Sequence, residues 1–182
     1  LSDPANGLPI SENFDSYVEG ETVFPDFFND PDADLEFETE AGTTTSTNTG
    51  PSDDVSVGGN YIYMETSGSD SGDVAVLCTN CLDLTNALNP QLFYAYHMYG
   101  ESINFLSVDV TSSDGTVTNV ALFQGQQQTA NADPWLFDTV DLTPFIGDVV
   151  RLCFTGETGE DATGFTFNGD IALDEIAIRE VL

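Results

Sequence analysis

The sequence predicts an all-β protein, an antiparallel sandwich of about ten short strands. Three observations carry that expectation. Short apolar runs with two-residue alternation recur through most of the 182 residues, which is strand periodicity. Gly, Pro, Asn, Asp and Ser clusters separate them, as turns between short strands require. No stretch carries the 3.6-residue apolar period of an amphipathic helix, and sandwiches are the usual outcome of such a pattern.

In chain order, Leu8 to Tyr17 reads as a first strand with Ile10 and Phe14 inward. Val23 to Phe28 is an apolar patch that Pro25 keeps from central pairing. Asn29 to Asp34 is a turn, and Leu35 to Glu40 alternates as a half-exposed strand. Ala41 to Gly50 is Thr-rich and reads either as an exposed strand or as a loop. Tyr61 to Glu65 and Val74 to Cys78 are strands around a polar turn at 67–73. Gln91 to Gly100, QLFYAYHMYG, carries large groups on both alternating faces and reads as a central strand flanked by neighbours on each edge. Asn104 to Thr111 and Val117 to Phe123 form a hairpin around Asp114-Gly115. Gly125 to Asp133 is a Gln-rich loop. Trp135 to Leu142, Val149 to Thr155 and Ile171 to Arg179 supply the remaining strands. With no internal repeat or boundary, one module over 1–182 is expected, its core roughly 10–180.

Composition narrows the function. Asp and Glu number 32 against 2 basic residues, Arg151 and Arg179, for a net charge of -30. Such a chain is repelled by nucleic-acid phosphates and anionic lipid surfaces. No run approaches the ~18 apolar residues of a membrane span. Acidic, lysine-free surfaces suit a salt-rich habitat and call for cations. The chain starts Leu1-Ser2-Asp3-Pro4, without Met, and reads as a module of a longer, exported protein.

Catalytic motifs are missing. His97 is the only histidine; no nucleophile elbow accompanies it, so a packed, hydrogen-bonded structural role is expected. Cys78 and Cys81 form a CxxC without βαβ surroundings or a zinc-type second pair. They read as a small disulfide or as two thiols, with Cys153 apart. Calcium, which takes six to eight oxygen ligands, suits the acids at strand ends: Asp15, Asp54, Glu65 and Asp174. Asp30, Asp32 and Asp34 have the two-residue spacing of calcium loops but lack the EF-hand Gly, a weaker signal.

Several segments together resemble the MAM domain (meprin, A5, receptor phosphatase mu). LFYAYHMYG at 92–100 is similar to its "F-W-Y-H-M-Y-G" strand. Gly50-Pro51-Ser52-Asp53-Asp54 followed by Gly58 to Glu65 resembles its Gly-Pro…Asp…Gly-x-Tyr segment. Val74 to Leu77 resembles "A-x-L", Trp135 with VDLTPFIGDVVRLCFTGETG its "W…F-x-g…G" run, and Asp170 to Ile176 its closing "I-A-I-D-D-I". The Cys81-Leu82-Asp83-Leu84 stretch looks most like the MAM and cleaved-adhesin-like modules of secreted bacterial proteins. The resemblance implies a non-catalytic jelly-roll sandwich with structural Ca2+ held by Asp15, Asp54, Glu65 and Asp174 as one site. It implies an extracellular module, secreted or at the cell surface, that binds a protein or polysaccharide ligand beside other domains of its parent chain. The family's N-terminal cysteine pair is absent here, and Phe stands where an early Trp is usual. A carbohydrate-binding module is the competing reading, with Tyr61, Tyr63, Tyr99 and Trp135 as possible sugar platforms; an enzyme is the third.

Overall fold

A computed structural model describes residues 5–181. Twelve strands follow one another: β1 Ile10–Glu12, β2 Phe27–Asn29, β3 Phe37–Glu40, β4 Tyr61–Met64, β5 Val74–Thr79, β6 Leu82–Asp83, β7 Pro90–His97, β8 Ile103–Thr111, β9 Val117–Gln124, β10 Leu136–Asp141, β11 Val149–Thr158 and β12 Ile171–Glu180. One 3-10 turn, Thr143–Phe145, is the helical element among the described residues. The strands form two sheets. One runs β10-β7-β12-β4-β3 with β1 also on β12; the other runs β2-β5-β11-β8-β9 with β6 also on β11. Pairing between these strands is antiparallel throughout.

The predicted central strand is β7, held between β10 and β12. Leu92, Tyr94, Tyr96 and Met98 enter the main core. Tyr94 meets Phe154 of the facing sheet edge-on at 5.1 Å. Ala95 and His97, on the other face, are fully buried as well, so a second layer covers the outer side of this sheet. Trp135 packs there with Tyr61, Tyr63 and Ala172, and Tyr61 donates its hydroxyl to the carbonyl of Gly42 at 2.9 Å. The segment 41–50 is thus a loop anchored against the outer face.

Several elements differ from expectation. The first strand covers only Ile10–Glu12, because Phe14 takes a left-handed backbone at φ 57 and turns its buried ring into the core. Leu35–Glu40 contains β3, but its Glu40 is buried rather than solvent-facing. The CxxC is not a bridge: Cys78 bonds Cys153, its direct cross-strand partner on β11. Cys81 is left as a buried thiol.

A bulge interrupts β12 beside its pairing with β7. The register shifts between Asp174 and Ala177, and Glu175 sits at φ 50. The extra residue lets Leu173 and Ile176 both face the core, while Asp174 is aimed to the outer face, as bulges re-aim side chains.

Candidate functional site

Asp174 is only 1% exposed. Its Oδ2 accepts from Val55 N at 3.0 Å and its Oδ1 from Glu175 N at 2.7 Å. Burial, outweighing those two bonds, pushes its carboxyl up to about 7. Val55 belongs to the loop that leads into β4, and that loop is wound around Asp54. Asp54 Oδ2 accepts from Ser56 N at 2.9 Å and from the Ser56 hydroxyl; Oδ1 accepts from Gly59 N at 2.9 Å. Burial opposes ionisation of Asp54, yet these donors prevail and hold its carboxyl below the usual range. Asp15 arrives from the turn after β1 and accepts from Asn60 N at 3.0 Å.

Asp15 and Asp54 converge where a side chain cannot fit, and Asp174 is tied to them through the Val55 N–H of the same loop. A Cβ on Gly59 would lie 1.9 Å from Asp15 Oδ1 and 2.8 Å from Asp54 Oδ2. Hard oxygen donors around a glycine cradle fit a calcium-class cation in chemistry. Among the described residues no three His, Cys, Asp or Glu side chains form a ready-made metal centre, and the oxygens are engaged by main-chain N–H groups. A cation here would use their remaining lone pairs.

Glu65 does not join this group. It follows β4, whereas Asp54 and Gly59 precede it. The strand's rise of ~3.3 Å per residue separates the two ends, so the expected single four-carboxylate site divides. Asp30, Asp32 and Asp34 stay apart as well. Asp30 Oδ1 caps Asp32 N at 3.0 Å, and Asp34 Oδ2 accepts from Val74 N at 3.1 Å. They build a turn beside the other sheet's β5.

The aromatic expectations also separate. Tyr61 and Tyr63 are 0% and 2% exposed, so neither offers a stacking face to a ligand. Tyr99 is half-buried and borders a polar pocket of about 320 Å³ with Asn48, Glu101, Gln126 and Asn168. Trp135 is half-buried, donates Nε1–H to the Asp53 carbonyl at 3.0 Å, and lines a cleft of about 320 Å³ beside Val57 and Phe137. Phe137, 67% exposed, was not singled out from sequence; its alternation in β10 could have shown it, since Val140 faces the core.

His97 is fully buried. Its ring lies edge-on to Trp135 at 5.6 Å. Neither ring nitrogen has a partner of hydrogen-bond geometry, contrary to the expected anchoring bond. Burial lowers its pKa to about 4, opposed in part by the nearby Asp133 backbone and charge.

A family model described as "MAM domain, meprin/A5/mu" matches residues 19–181. Among solved structures, the K1 cleaved adhesin domain of Lys-gingipain from Porphyromonas gingivalis W83 is similar, at TM-score 0.61 and 17% identity, covering 97% of this chain and 100% of that one. A carbohydrate-binding module, TmCBM61 in complex with β-1,4-galactotriose, superposes at TM-score 0.54 and 10% identity, covering 93% and 99%. The CBM22-1-GH10 modules of a Clostridium thermocellum xylanase, complexed with xylohexaose, match at TM-score 0.55 and 11% identity, over 95% of this chain and 28% of theirs. At such identities the likeness is one of fold.

Proposed function

The chain belongs to the MAM domain family, and from that premise we propose a non-catalytic binding module, held by calcium, in an exported multidomain protein. Its work is adhesion, or capture of a protein or polysaccharide ligand. One observation carries the reading. The cleft of Trp135, Phe137 and Val57 is built on the same 53–60 loop whose Asp54 packs with Asp15 around Gly59 and whose Val55 N is held by Asp174. A cation there would stiffen one wall of the cleft, so ligand binding and calcium would be coupled. The Cys78–Cys153 disulfide supports an oxidising, extracellular setting. Residues 1–182 would act as one module.

The polysaccharide version of this reading has its own support. The Tyr99 pocket is bordered by side-chain amides of Asn48, Gln126 and Asn168, and amides beside an aromatic ring suit sugar hydroxyls. The test is a glycan array and affinity gel, run with calcium and with EDTA, on wild type, Phe137→Ala and Tyr99→Ala. The proposal expects binding that weakens in EDTA and in one of the two variants, with melting of the variants unchanged. Binding that ignores calcium and both substitutions would remove the reading.

A further inference from the structure

A second carboxylate pair lies at the far end of β4. Ile171 pairs with Met64 across β12 and β4, and both side chains enter the core. The next residues along each strand, Asp170 and Glu65, therefore stand opposite each other on the outer face. Like charges directly opposite in a sheet are destabilising, so the arrangement needs compensation.

Asp170 carries the stronger demand. It is 0% exposed. Its Oδ1 accepts from Thr66 N at 3.3 Å and Thr66 Oγ1 at 3.2 Å. Its Oδ2 is enclosed and has no hydrogen-bond partner. A buried carboxylate with an orphaned oxygen is costly unless it is paired or bound to metal. The chain's cations are committed elsewhere. Arg151 sits over Phe28 at 5.0 Å and Arg179 over Phe93 at 4.5 Å. Neutral oxygens gather instead: Thr44 lies beside Asp170, and Thr45 donates its hydroxyl to Glu65 Oε2 at 2.8 Å. The buried Thr49 hydroxyl accepts from Asp170 N at 2.9 Å.

We propose that Asp170 and Glu65 hold a second calcium-class cation, closed over by the 44–49 loop and independent of the Asp15, Asp54 and Asp174 group. The orphaned Asp170 Oδ2 and the Glu65 carboxylate supply the charge. Threonine oxygens and water complete the six to eight oxygens such an ion takes. The ion reaches the pair from the side of Glu65, which is half-exposed, and joins the start of β12, the end of β4 and the loop over them. This assignment does not rest on the ligand-binding role or on the first cation group.

The test counts calcium per chain by equilibrium dialysis of chelated protein, with terbium luminescence as a second readout. Tyr63, whose hydroxyl donates to Glu65 Oε2 at 3.3 Å, is placed to sensitise terbium at this pair. Asp170→Asn and Glu65→Gln should each lose one bound ion per chain and the tyrosine-sensitised emission, while Asp174→Asn keeps that emission and loses at most the ion of the first group. Should Asp170→Asn fail to fold, Glu65→Gln reads the same pair from its more exposed side. One ion lost in these variants but untouched by Asp174→Asn supports the assignment even where wild type binds no other calcium, an outcome that removes only the first group. Wild-type calcium stoichiometry and emission in Glu65→Gln and in any folded Asp170→Asn would overturn it, leaving Asp170 as a protonated buried acid.

Discussion

Gly59→Ala tests the convergence of Asp15 and Asp54 directly. The backbone of Gly59 lies outside the left-handed region, and the new methyl would meet Asp15 Oδ1 at 1.9 Å, Asp15 Cγ at 2.8 Å and Asp54 Oδ2 at 2.8 Å. Asp15 cannot simply swing aside, because its Oδ1 is held by Asn60 N and its Oδ2 by Asn13 Nδ2 at 2.7 Å. Overpacking of this kind costs about 1–3 kcal/mol. For a domain of this size that lowers Tm by about 2 to 12 °C.

The calcium response sharpens the test. A cation that binds only the folded state adds about 2.7 kcal/mol at a hundredfold excess over Kd. Forcing the two carboxylates apart should remove most of that increment. Gly58→Ala is the control: Gly58 sits at φ +92 with nothing near its would-be Cβ. It should cost about 1–2 kcal/mol of backbone strain and keep the calcium increment. Thermal melts of wild type and the two variants, each in EDTA and in calcium at fixed ionic strength, give all six midpoints. If Gly59→Ala melts like wild type in both buffers, the carboxylates do not meet at this glycine. If it melts lower but keeps the full increment, any calcium sits elsewhere.

Two further outcomes concern the core. The Cys78–Cys153 bridge spans 75 residues of sequence, and closing a loop of that length is worth about 4 kcal/mol in the chain-entropy account; Cys78→Ser/Cys153→Ser should lose stability of that order in urea melts, and an unchanged midpoint would count against the bridge. His97, depressed to about 4 by burial, takes up its proton more readily when unfolded, so its contribution is lost as pH falls from about 6.5 to about 4; that component should vanish in His97→Gln, and parallel stability profiles of the two proteins would show the ring is not buried neutral.

The fold was legible because strand alternation and turn residues are local signals. QLFYAYHMYG showed its two packed faces directly, and β7 is a central strand. Pairings that depend on topology were not legible. Nothing local tells Cys78 to choose Cys153 over Cys81; the choice comes from β5 lying against β11. Glu65 is grouped with Asp54 as a strand-end acid and through the family resemblance, but the two flank β4 at opposite ends. Tyr61 and Tyr63 looked like candidate platforms because alternation cannot reveal that Trp135 and the Gly42 loop cover the outer face. Asp170 stood in the DIALDEI segment, yet its demand for a partner appears only when Thr66 is seen to satisfy one oxygen and nothing the other.

A lysine-free chain has three ways to keep a carboxylate buried: main-chain and hydroxyl donors, a proton, or an external cation. Asp54 uses the first and stays ionised. Asp170 and Asp174 are pushed up to about 7 from 3.8, by burial first, then for Asp170 by the charge of Glu65 and for Asp174 by Glu175 and Asp54. Their proton and a cation compete for the same oxygens, so pH and calcium must be varied together. Without calcium, the folded state holds protons between about 4 and about 7 that the unfolded state has released. The number bound is larger in the native state, so stability falls as pH rises through that window. With calcium bound, the carboxylates are ionised and compensated. The fall should then disappear, and the calcium increment itself should grow from pH 5 toward pH 7, because metal binding displaces the protons. Melting across this range in EDTA and in calcium decides it. A decline with pH that is identical in both buffers would mean that protons alone keep Asp170 and Asp174 buried, and that neither carboxylate holds a metal.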